Sequence, residues 1–524
     1  MIERIKLHNP TWTVKDSACG RCVDYYQTEI VIQQRILPEI GPYFPIKSAD
    51  DFVILPTGLR LDTDQRFTGK GVTICFIDSG FYPHPDLTAH KKRIKKIIDV
   101  NYDSESSHVS PLGGDLAGAW HGTMTSVVCA GDGYLSNGLY KGIACAAELV
   151  LIKVQDDAGR ITTGNIVKAL EWVLRYHKEY GIRIVNMSIG DDEAISYKRS
   201  EIDRLAEQLI AEGIVVIAAV GNDEHGDIKP PANSPNVITV GGIDDENRLG
   251  VFASKLYHST YGKTIDDLMK PELVAQAIWI AAPILPGTKE QKESALLHHL
   301  LGLRDNDLLS ELKTNADCIS LENDSKESHD ATVIREAIIR RIRSCKYISD
   351  HYMHVDGTSF AAPIVCSVVA QLLEINPNLT PALIREILFH TAKRIDGLPA
   401  ERQGFGVIIP RRSIIKILKT DAIIGPESSP HLNSKQNTIE FSVQHDCATH
   451  ISLAGSFNHW AHNDLLLEPG RNGIWKIEIP MLPAGRYEYK FFVDDKAWIE
   501  DVNNPYREPD GFNGFNSIFT INKQ

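Results

Sequence analysis

Four side chains that could act together in acyl transfer stand at the ends of apolar segments. Ser359 lies in a Gly-Thr-Ser turn that runs directly into a small-residue apolar segment, DGTSFAAPIVCSVVAQ. Asp78 ends the run GVTICFIDSG, His121 opens AWHGTMTSVVCAG, and Asn222 ends GIVVIAAVGN. Serine, histidine and aspartate can serve as nucleophile, base and orienting carboxylate, and an amide can donate a hydrogen bond to an oxyanion. The sequence therefore contains the groups for nucleophilic catalysis.

Each of these residues also has a purely structural interpretation. A serine in the first turn of a helix commonly caps the unpaired N–H groups there. Asp and Asn are common in turns for conformational reasons. In an open parallel α/β sheet, however, the carboxyl ends of the strands line one crevice, so side chains far apart in sequence can meet. We therefore predict that all four side chains converge in one cleft.

The segments around these residues resemble the subtilisin-like serine proteases, the subtilases. The resemblance covers about residues 50–420, and its four key residues follow the subtilase order Asp, His, Asn, Ser. It is carried by FIDSGFYPHPDL around Asp78, HGTMTSVVCAG around His121, NMSIG at 186–190, AAVGN ending at Asn222 and GTSFAAPIV around Ser359. The run SNGLYKGIACAAELVLIKV is most similar to the subtilases of bacterial cytoplasm and their secreted relatives.

The resemblance implies a role for each of the four residues. Asp78, His121 and Ser359 would form the catalytic triad, and Asn222 would bind the oxyanion together with the Ser359 backbone N–H. One departure from the family pattern lies nearby, because Gln276-Ala277 replaces the usual Pro-Gly after KPELVA. This replacement predicts an altered turn behind the cleft.

Two further sites are implied by the same resemblance. Ser188, Ile189 and Gly190 would bind the main chain of a peptide substrate as an added strand, which predicts tolerance of many side chains. Calcium sites are common in subtilases, and the loop GDGYLSNGLYKG lies where one often occurs. Asp132 and Asn137 are its candidate oxygen ligands. No organic cofactor is expected.

The pattern of apolar residues predicts an α/β fold with a doubly wound parallel sheet of the subtilisin type. The runs VTICFI, ELVLIKV, RIVNMSI, GIVVIAAV and NVITVGGI are nearly continuous, as strands buried on both faces should be. Between them, IVKALEWVLRYHKEYG and SEIDRLAEQLIAEG repeat apolar residues at helical spacing and end in glycine. Alternating strands and helices are typical of this architecture.

The chain divides into four parts. Residues 1–50 form an N-terminal extension, which either packs on the domain or lies across the cleft as an inhibitor segment. Residues 51–420 form the peptidase-like domain, and within it a charged insert at 284–350 has a helical pattern and is absent from common subtilases. Residues 421–437 are predicted to be a linker, because the segment PESSPHLNSKQN at 426–437 is polar and punctuated by proline. Residues 438–524 form a second domain.

Short alternating strands separated by Gly, Pro and Asn turns predict an antiparallel β-sandwich for 438–524. LAGSFNHW, RYEYKFFVDDKAW and FNSIFTI resemble the glycogen-binding domain of the AMP-activated kinase β subunit. The resemblance implies a carbohydrate site at Trp460, Lys490, Trp498 and Asn516. Aromatic rings pack against flat sugar faces and the polar groups bond the hydroxyls. Alternatively, both tryptophans belong to the sandwich core and the domain mediates protein contacts.

The composition of the chain argues against some classes of binding partner and indicates a cellular compartment. The formal net charge of −13 argues against nucleic acid and anionic membranes as partners. We expect no apolar run long enough for a membrane span, and the charged N-terminus does not resemble a secretory signal. Nine cysteines without framework spacing predict reduced thiols and a cytoplasmic location. The CxxC at Cys19 and Cys22 has no second pair, so metal binding there is not favoured.

Two hypotheses from different classes remain at this stage. The first is a serine endopeptidase that acts on polypeptides and is localised to glycogen or another α-glucan by its C-terminal domain. The second is a catalytically silent or autoinhibited scaffold that binds glucan or a partner protein. Esterase or ligase activity of the same triad is a further alternative to peptide hydrolysis. The presence of all four key residues favours the enzyme.

Overall fold

The computed structural model describes two consecutive units, an α/β unit up to residue 419 and an all-β unit from residue 429. The described residues are 13, 54–102, 118–248, 254–321, 328–419, 429–433, 436–445, 448–470, 473–504, 506–512 and 514–521. The predicted N-terminal extension, with its two cysteines, lies almost entirely outside them.

The α/β unit is organised around an eight-stranded sheet. Its strands are β1 (Thr73–Asp78), β2 (Ile94–Asp99), β3 (Glu148–Lys153), β4 (Ile182–Met187), β5 (Val215–Ala219), β6 (Ile238–Asp244), β7 (Lys255–Leu256) and β10 (Leu273–Gln276). A separate ribbon pairs β8 (Gly262–Lys263) with β9 (Met269–Lys270). The sheet order is β10-β6-β5-β4-β1-β3-β2, all parallel, with β7 antiparallel on β6. The predicted parallel α/β fold is confirmed.

Helices cover both faces of this sheet. They are α1 (Thr57–Arg60), α2 (Pro85–Thr88), α3 (Trp120–Ala130), α4 (Thr163–Tyr180), α5 (Glu201–Ala211), α9 (Thr358–Ile375), α10 (Pro381–Thr391), α11 (Ala400–Gln403) and α12 (Pro410–Lys419). Residues of α4 and α5 share one apolar core with the sheet, and residues of α3, α9, α10 and α12 share the other. Helix α4 begins at the capping hydroxyl of Thr162 and ends at Gly181, whose φ of 66° suits glycine.

Helix α9 corrects one expectation from the sequence. It is long and apolar enough by composition to cross a membrane, although no run of that length was expected. Most of it is buried, and its side chains from Phe360 to Leu373 contribute to the core that packs against the sheet. Its apolar character is therefore explained by its central position in the α/β unit.

The insert forms a small subdomain of its own. Strands β11 (Ile280–Pro283), β12 (Tyr347–Ser349) and β13 (Tyr352–Val355) pair antiparallel in the order β11-β13-β12. Between them lie α6 (Lys289–Gly302), α7 (Asp305–Asn315), a 3₁₀ turn at Ala316–Cys318 and α8 (Ala331–Ser344). Apolar side chains of the three helices, among them Leu297, Leu308 and Ile338, form a separate core. The helical pattern was visible in the sequence, whereas the strand pairs were not expected.

The second unit is a sandwich of two antiparallel sheets, as predicted. One sheet contains β14 (His431–Asn433), β15 (Thr438–Gln444), β18 (Ile474–Pro480) and β17 (Glu468–Pro469) in that order. The other has the order β16-β19-β22-β21, with β20 on β19, and comprises β16 (Ile451–Gly455), β19 (Gly485–Val493), β20 (Ala497–Ile499), β21 (Arg507–Pro509) and β22 (Phe515–Ile521). Inward-facing side chains such as Phe441, Trp475 and Phe491 fill the space between the sheets.

The predicted linker, 421–437, requires a correction. Residues 421–428, 434 and 435 lie outside the described residues. His431–Asn433, however, pair with Glu440, Ile439 and Thr438 as an edge strand. The sandwich therefore begins before residue 438, because a short polar segment can still complete a sheet edge when its neighbour offers backbone partners.

The two units meet through a contact centred on Phe515 and Arg507. The Arg507 guanidinium is buried, donates to the carbonyls of Met269 and Pro271, and lies 4.2 Å from the centroid of the Phe405 ring. Burial lowers its pKa to about 10, so it stays positively charged at neutral pH. A buried arginine that contacts two carbonyls and an aromatic face joins the units specifically.

A second buried arginine ties the start of the α/β unit to the segment behind the cleft. Arg60 and Asp245 are both fully or almost fully buried, and Arg60 Nε donates to Asp245 Oδ2 at 2.8 Å. The same guanidinium donates to the carbonyls of Ile278 and Trp279. The pair therefore holds α1 against the chain that leaves β10.

We expect Arg60→Met to lower the free energy of unfolding by about 3–5 kcal/mol, because it leaves a buried carboxylate without its partner. Urea denaturation of the full chain measures this change. The double variant Arg60→Met/Asp245→Leu should recover most of the loss, since it removes the unpaired charge. Arg160→Met, which breaks an exposed pair with Asp156, serves as the control and should have a much smaller effect. An equally small effect of Arg60→Met would contradict this account.

Candidate active site

The first pair of the candidate site joins a strand end to a helix start. Asp78 is the last residue of β1 and is fully buried, and His121 is the second residue of α3. His121 Nδ1 lies 2.7 Å from Asp78 Oδ1. The Asp78 carboxylate also accepts hydrogen bonds from the Ser79 N–H at 2.7 Å and from Thr125 Oγ1 at 3.2 Å. These donors fix the carboxylate and, through it, the orientation of the imidazole.

Gly122 allows this close approach of helix and strand. A Cβ atom at this position would lie 2.4 Å from the Gly80 carbonyl oxygen and 3.0 Å from the Asp78 Cβ. Any side chain at residue 122 would push α3 away from the end of β1 and separate His121 from Asp78. The glycine after the histidine is thus a packing requirement of the pair.

Asp78 changes the proton affinity of His121. Burial by itself lowers the pKa of this imidazole, but the negative charge and hydrogen bond of Asp78 outweigh burial and raise it above 6.5. The contact through Nδ1 also favours the tautomer that leaves Nε2 available as a base. His121 can therefore accept a proton and hold it as a stabilised imidazolium.

Ser359 lies in the same crevice, in the first turn of α9. The ring of the next residue, Phe360, is centred 6.0 Å from the His121 ring. The Ser359 carbonyl accepts a hydrogen bond from Ser188 Oγ at 2.8 Å, and its own hydroxyl donates to the Ser188 carbonyl at 3.4 Å. The hydroxyl must therefore turn toward His121 before it can transfer a proton, as is common before substrate binds.

The orientation of Asn222 is set by Thr358, the residue before Ser359. Asn222 Oδ1 accepts hydrogen bonds from the Thr358 N–H at 2.8 Å and from Thr358 Oγ1 at 2.9 Å. An amide accepts hydrogen bonds only through its oxygen. The two donors therefore identify which terminal atom of the Asn222 side chain is the oxygen and which is the nitrogen. The NH₂ group of Asn222 is consequently the donor on the other side, next to Gly357, where a Cβ atom would lie 3.5 Å from Nδ2.

The predicted substrate-binding segment follows β4 directly. Ser188 is buried and its hydroxyl bonds the Ser359 carbonyl, Ile189 packs against the sheet core, and Gly190 is exposed. A Cβ atom on Gly190 would lie 3.0 Å from the Pro230 carbonyl. The structure therefore places this segment beside Ser359, and its pairing with a substrate main chain stays a prediction.

The replacement of Pro-Gly by Gln276-Ala277 lies directly behind the Gly-Thr-Ser turn. The Ala277 carbonyl accepts a hydrogen bond of 2.7 Å from the Gly357 N–H, and the Ala277 N–H donates to Ile243. This turn is therefore one of the supports of the Gly-Thr-Ser segment. Gly357 itself has a φ of 132°, which only glycine adopts without strain.

The loop proposed for calcium does not present a set of free oxygen ligands. Asp132 Oδ2 lies 3.0 Å from His90 Nδ1, and Asp132 Oδ1 accepts the Tyr134 N–H. Asn137 occupies a left-handed position in this loop, with a φ of 52°. Among the described residues, no three His, Cys, Asp or Glu side chains are grouped as metal ligands would be. The calcium prediction gains no support here and stays a prediction.

In the sandwich, the four residues predicted to bind carbohydrate line one groove. Its volume is about 660 Å³. Trp498 is 43% exposed, and the Trp460 ring meets it edge to face with centroids 6.2 Å apart. Neither ring belongs to the core between the sheets, so the alternative that both are core residues is wrong. Lys490 is mostly buried and paired with Asp510, and Asn516 Nδ2 donates to Glu488 at 2.9 Å.

Sequence reasoning missed several residues that line this groove. Phe512, with 91% of its surface exposed, stands at the rim on a loop held by hydrogen bonds to Asp510. Glu500 lies in the wall next to Arg394, which comes from the α/β unit. Only Phe512 had a local signal, as an aromatic residue within the turn DGFNG. The other two depend on contacts between distant segments.

Comparisons with known proteins agree with both halves of this description. A family model described as the subtilase family matches residues 69–406, and one described as the glycogen recognition site of AMP-activated protein kinase matches 438–524. The chain is similar to serine protease AprX of Bacillus subtilis (strain 168), with 30% identity over 334 residues, which is 62% of this chain and 62% of AprX.

Further matches are more distant. Subtilisin Savinase of Lederbergia lenta is 28% identical over 204 residues, which is 39% of this chain and 65% of the relative. The chain thus spans slightly less than two thirds of these curated relatives. The solved structure of fervidolysin from Fervidobacterium pennivorans, described as a keratinolytic enzyme related to subtilisin, aligns with a TM-score of 0.45 and 18% identity over 82% of this chain and 53% of that chain.

We expect the His121 imidazole to titrate above pH 6.5, and we expect Asp78→Asn to lower its pKa, because burial then acts without the opposing charge. Titration of the imidazole resonances in ¹⁵N-histidine-labelled protein measures both values. His84 provides an internal control, because burial, followed by the nearby charge of His351, lowers its pKa to about 3 and keeps it neutral through the physiological range. A wild-type His121 pKa at or below 6.5 would contradict the expected influence of Asp78.

Proposed function

This chain belongs to the subtilase family, and from that membership we propose that it is a serine endopeptidase brought to glycogen or another α-glucan by its C-terminal domain. The observation that carries the peptidase assignment is the 2.7 Å contact between His121 and Asp78 beside the Ser359 turn. The proposal for the C-terminal domain rests on the groove that brings Trp460 and Trp498 together with polar side chains.

The proposed reaction begins when a peptide carbonyl carbon lies next to Ser359 Oγ. His121 Nε2 takes the hydroxyl proton as the new C–O bond forms, and Asp78 stabilises the resulting imidazolium. The Asn222 NH₂ group and the Ser359 N–H donate to the oxyanion. His121 then protonates the leaving amine as the C–N bond breaks. Water then attacks the acyl carbon while His121 Nε2 takes its proton. His121 returns that proton to Ser359 Oγ as the acyl C–O bond breaks, which releases the carboxylic acid product and restores the free Ser359 hydroxyl.

The state of the cysteines supports the proposal of a reducing, cytoplasmic location. All six cysteines among the described residues are free thiols. Cys75, Cys129 and Cys366 are buried, and burial raises the pKa of each thiol, so they act as neutral core residues. A compartment that keeps thiols reduced suits a protein with this arrangement.

A fluorophosphonate probe tests the peptidase assignment in the full chain. We expect rapid labelling of the wild type and none of Ser359→Ala. Asn222→Ala should fold but turn over a peptide substrate about 100- to 1000-fold more slowly, because one oxyanion donor is lost. Ser367→Ala is the matched control, since Ser367 lies on the same helix and its described side-chain hydrogen bond goes to the Ile364 carbonyl of that helix. Absence of labelling in folded wild-type protein, with and without calcium, would overturn the peptidase assignment and favour the scaffold.

Calorimetric titration of the full chain with maltoheptaose tests the glucan assignment. We expect Trp498→Ala to weaken binding roughly 10- to 150-fold, because burying an aromatic side chain is worth about 1.5–3 kcal/mol. Trp120→Ala is the matched control, because Trp120 is 48% exposed on the α/β unit and should leave the affinity unchanged. Absence of binding by the wild type would overturn the glucan assignment without affecting the peptidase.

A further inference from the structure

One wall of the carbohydrate groove comes from the other domain. Ten described residues line the groove, and nine of them belong to the sandwich. The tenth, Arg394, lies in the α/β unit between α10 and α11. Its Nη1 and Nη2 donate to the Glu500 carboxylate at 2.6 and 2.8 Å. This two-point geometry is the strong form of an arginine–carboxylate pair.

Arg394 is held in place from both sides of the domain boundary. Its Nε donates to the Gly404 carbonyl of the α/β unit at 2.8 Å, and its guanidinium carbon lies 5.0 Å from the centroid of the Phe515 ring of the sandwich. The Arg394 and Glu500 side chains are only 20% and 11% exposed. The pair is therefore well shielded from water and can hold Glu500 in a defined position.

The charged residues that line the groove show why the position of Glu500 matters. Three carboxylates line it, and each has a described partner in the structure. Asp510 is paired with Lys490, and Glu488 accepts hydrogen bonds from Asn516 and Arg486, so these partners belong to the sandwich. Glu500 instead takes its direct ion pair from Arg394. Its described hydrogen-bond donor within the sandwich is the Phe515 N–H at 2.9 Å, and Arg507 of the sandwich adds electrostatic attraction. Without the α/β unit, Glu500 would lose its two-point partner and keep only these weaker compensations.

We propose that the groove is a composite site in which Arg394 of the peptidase domain positions Glu500 for binding of a short α-glucan chain. The inference rests on the proposed glucan function and extends it across the domain boundary. Glucan affinity then depends on correct docking of the two domains. By thermodynamic linkage, a bound glucan stabilises the docked arrangement to the same extent.

A second ion pair across the same boundary provides a matched control. Lys263 of the α/β unit pairs with Glu508 of the sandwich, and these side chains are 40% and 31% exposed. Neither residue lines the groove. Glu508 also pairs with Arg486 of the sandwich at 2.6 Å, so it keeps a partner when Lys263 is replaced. Removing Lys263 therefore deletes a bridge between the domains without leaving an uncompensated charge in the groove.

Calorimetric titration of full-length variants with maltoheptaose tests the composite site. We expect Arg394→Met to weaken binding about tenfold, because it strands the Glu500 carboxylate. Lys263→Met should stay within about twofold of the wild type, since exposed ion pairs contribute little. The double variant Arg394→Met/Glu500→Gln should bind more tightly than Arg394→Met, because it removes the stranded charge. A residue that only joins the domains would not produce this recovery.

Hydrogen exchange of the wild-type protein supplies a measurement that requires no variant. Maltoheptaose should slow exchange of backbone amides in 393–406 as well as in the sandwich, because the site includes Arg394. The composite site would be overturned by protection confined to residues 438–521. Equal affinities of Arg394→Met and Lys263→Met for maltoheptaose would overturn it as well. Either result would leave the proposed glucan function standing. Absence of maltoheptaose binding by the wild type would overturn both.

Discussion

The approach of α3 to the end of β1 is the contact on which the rest of the candidate site depends. A buried carboxylate is costly unless donors surround it, and Asp78 obtains them from Ser79, Thr125 and His121. Strands β1, β4 and β5 are neighbours in the sheet. The residues that follow their carboxyl ends therefore lie along one crevice, which is where parallel α/β sheets bind ligands. Once α3 is seated through Gly122, the positions of Ser359 and Asn222 follow from this sheet edge.

The insert does not disturb the candidate site, because the strands at its start and end pair with each other. Strand β11 pairs antiparallel with β13, so Ile280 lies opposite Val355 and Pro283 lies opposite Tyr352. The chain that leaves the α/β unit therefore returns to it at nearly the same place. The helices in between form their own apolar core and do not need to enter the core around the sheet. The Ala277 carbonyl can thus support the Gly357 N–H across the base of the insert.

The joint between the two domains combines buried charge with aromatic packing. Two guanidinium groups contact the Phe515 ring, that of Arg394 from the α/β unit at 5.0 Å and that of Arg507 from the sandwich at 4.8 Å. Contacts of this kind are more sensitive to geometry than contacts between apolar surfaces, because each guanidinium has a planar set of donors. The same joint supplies a wall of the groove proposed to bind carbohydrate. In the proposed enzyme, recognition of glucan and the relative position of the peptidase domain therefore share residues.

The amino-acid sequence by itself determined the α/β and β-sandwich classes, the residues of the candidate catalytic pair and turn, and the four predicted residues of the groove. The fold classes and the candidate pair and turn depend on local patterns: nearly continuous apolar strands, amphipathic helices, and a Gly-Thr-Ser turn at a helix start. The four groove residues were implied by the resemblance of 438–524 to a glycogen-binding domain. Only the tertiary structure decided three further features. They are the hydrogen bonds from Thr358 to the Asn222 oxygen, the pairing of His431–Asn433 with the sandwich, and the position of Arg394 in the wall of the sandwich groove. Arg394 and Glu500 are 106 positions apart, and no local pattern encodes their pairing. A contact of this kind exists only after two separately folded units have docked, so it depends on complementary surfaces that a linear sequence does not display.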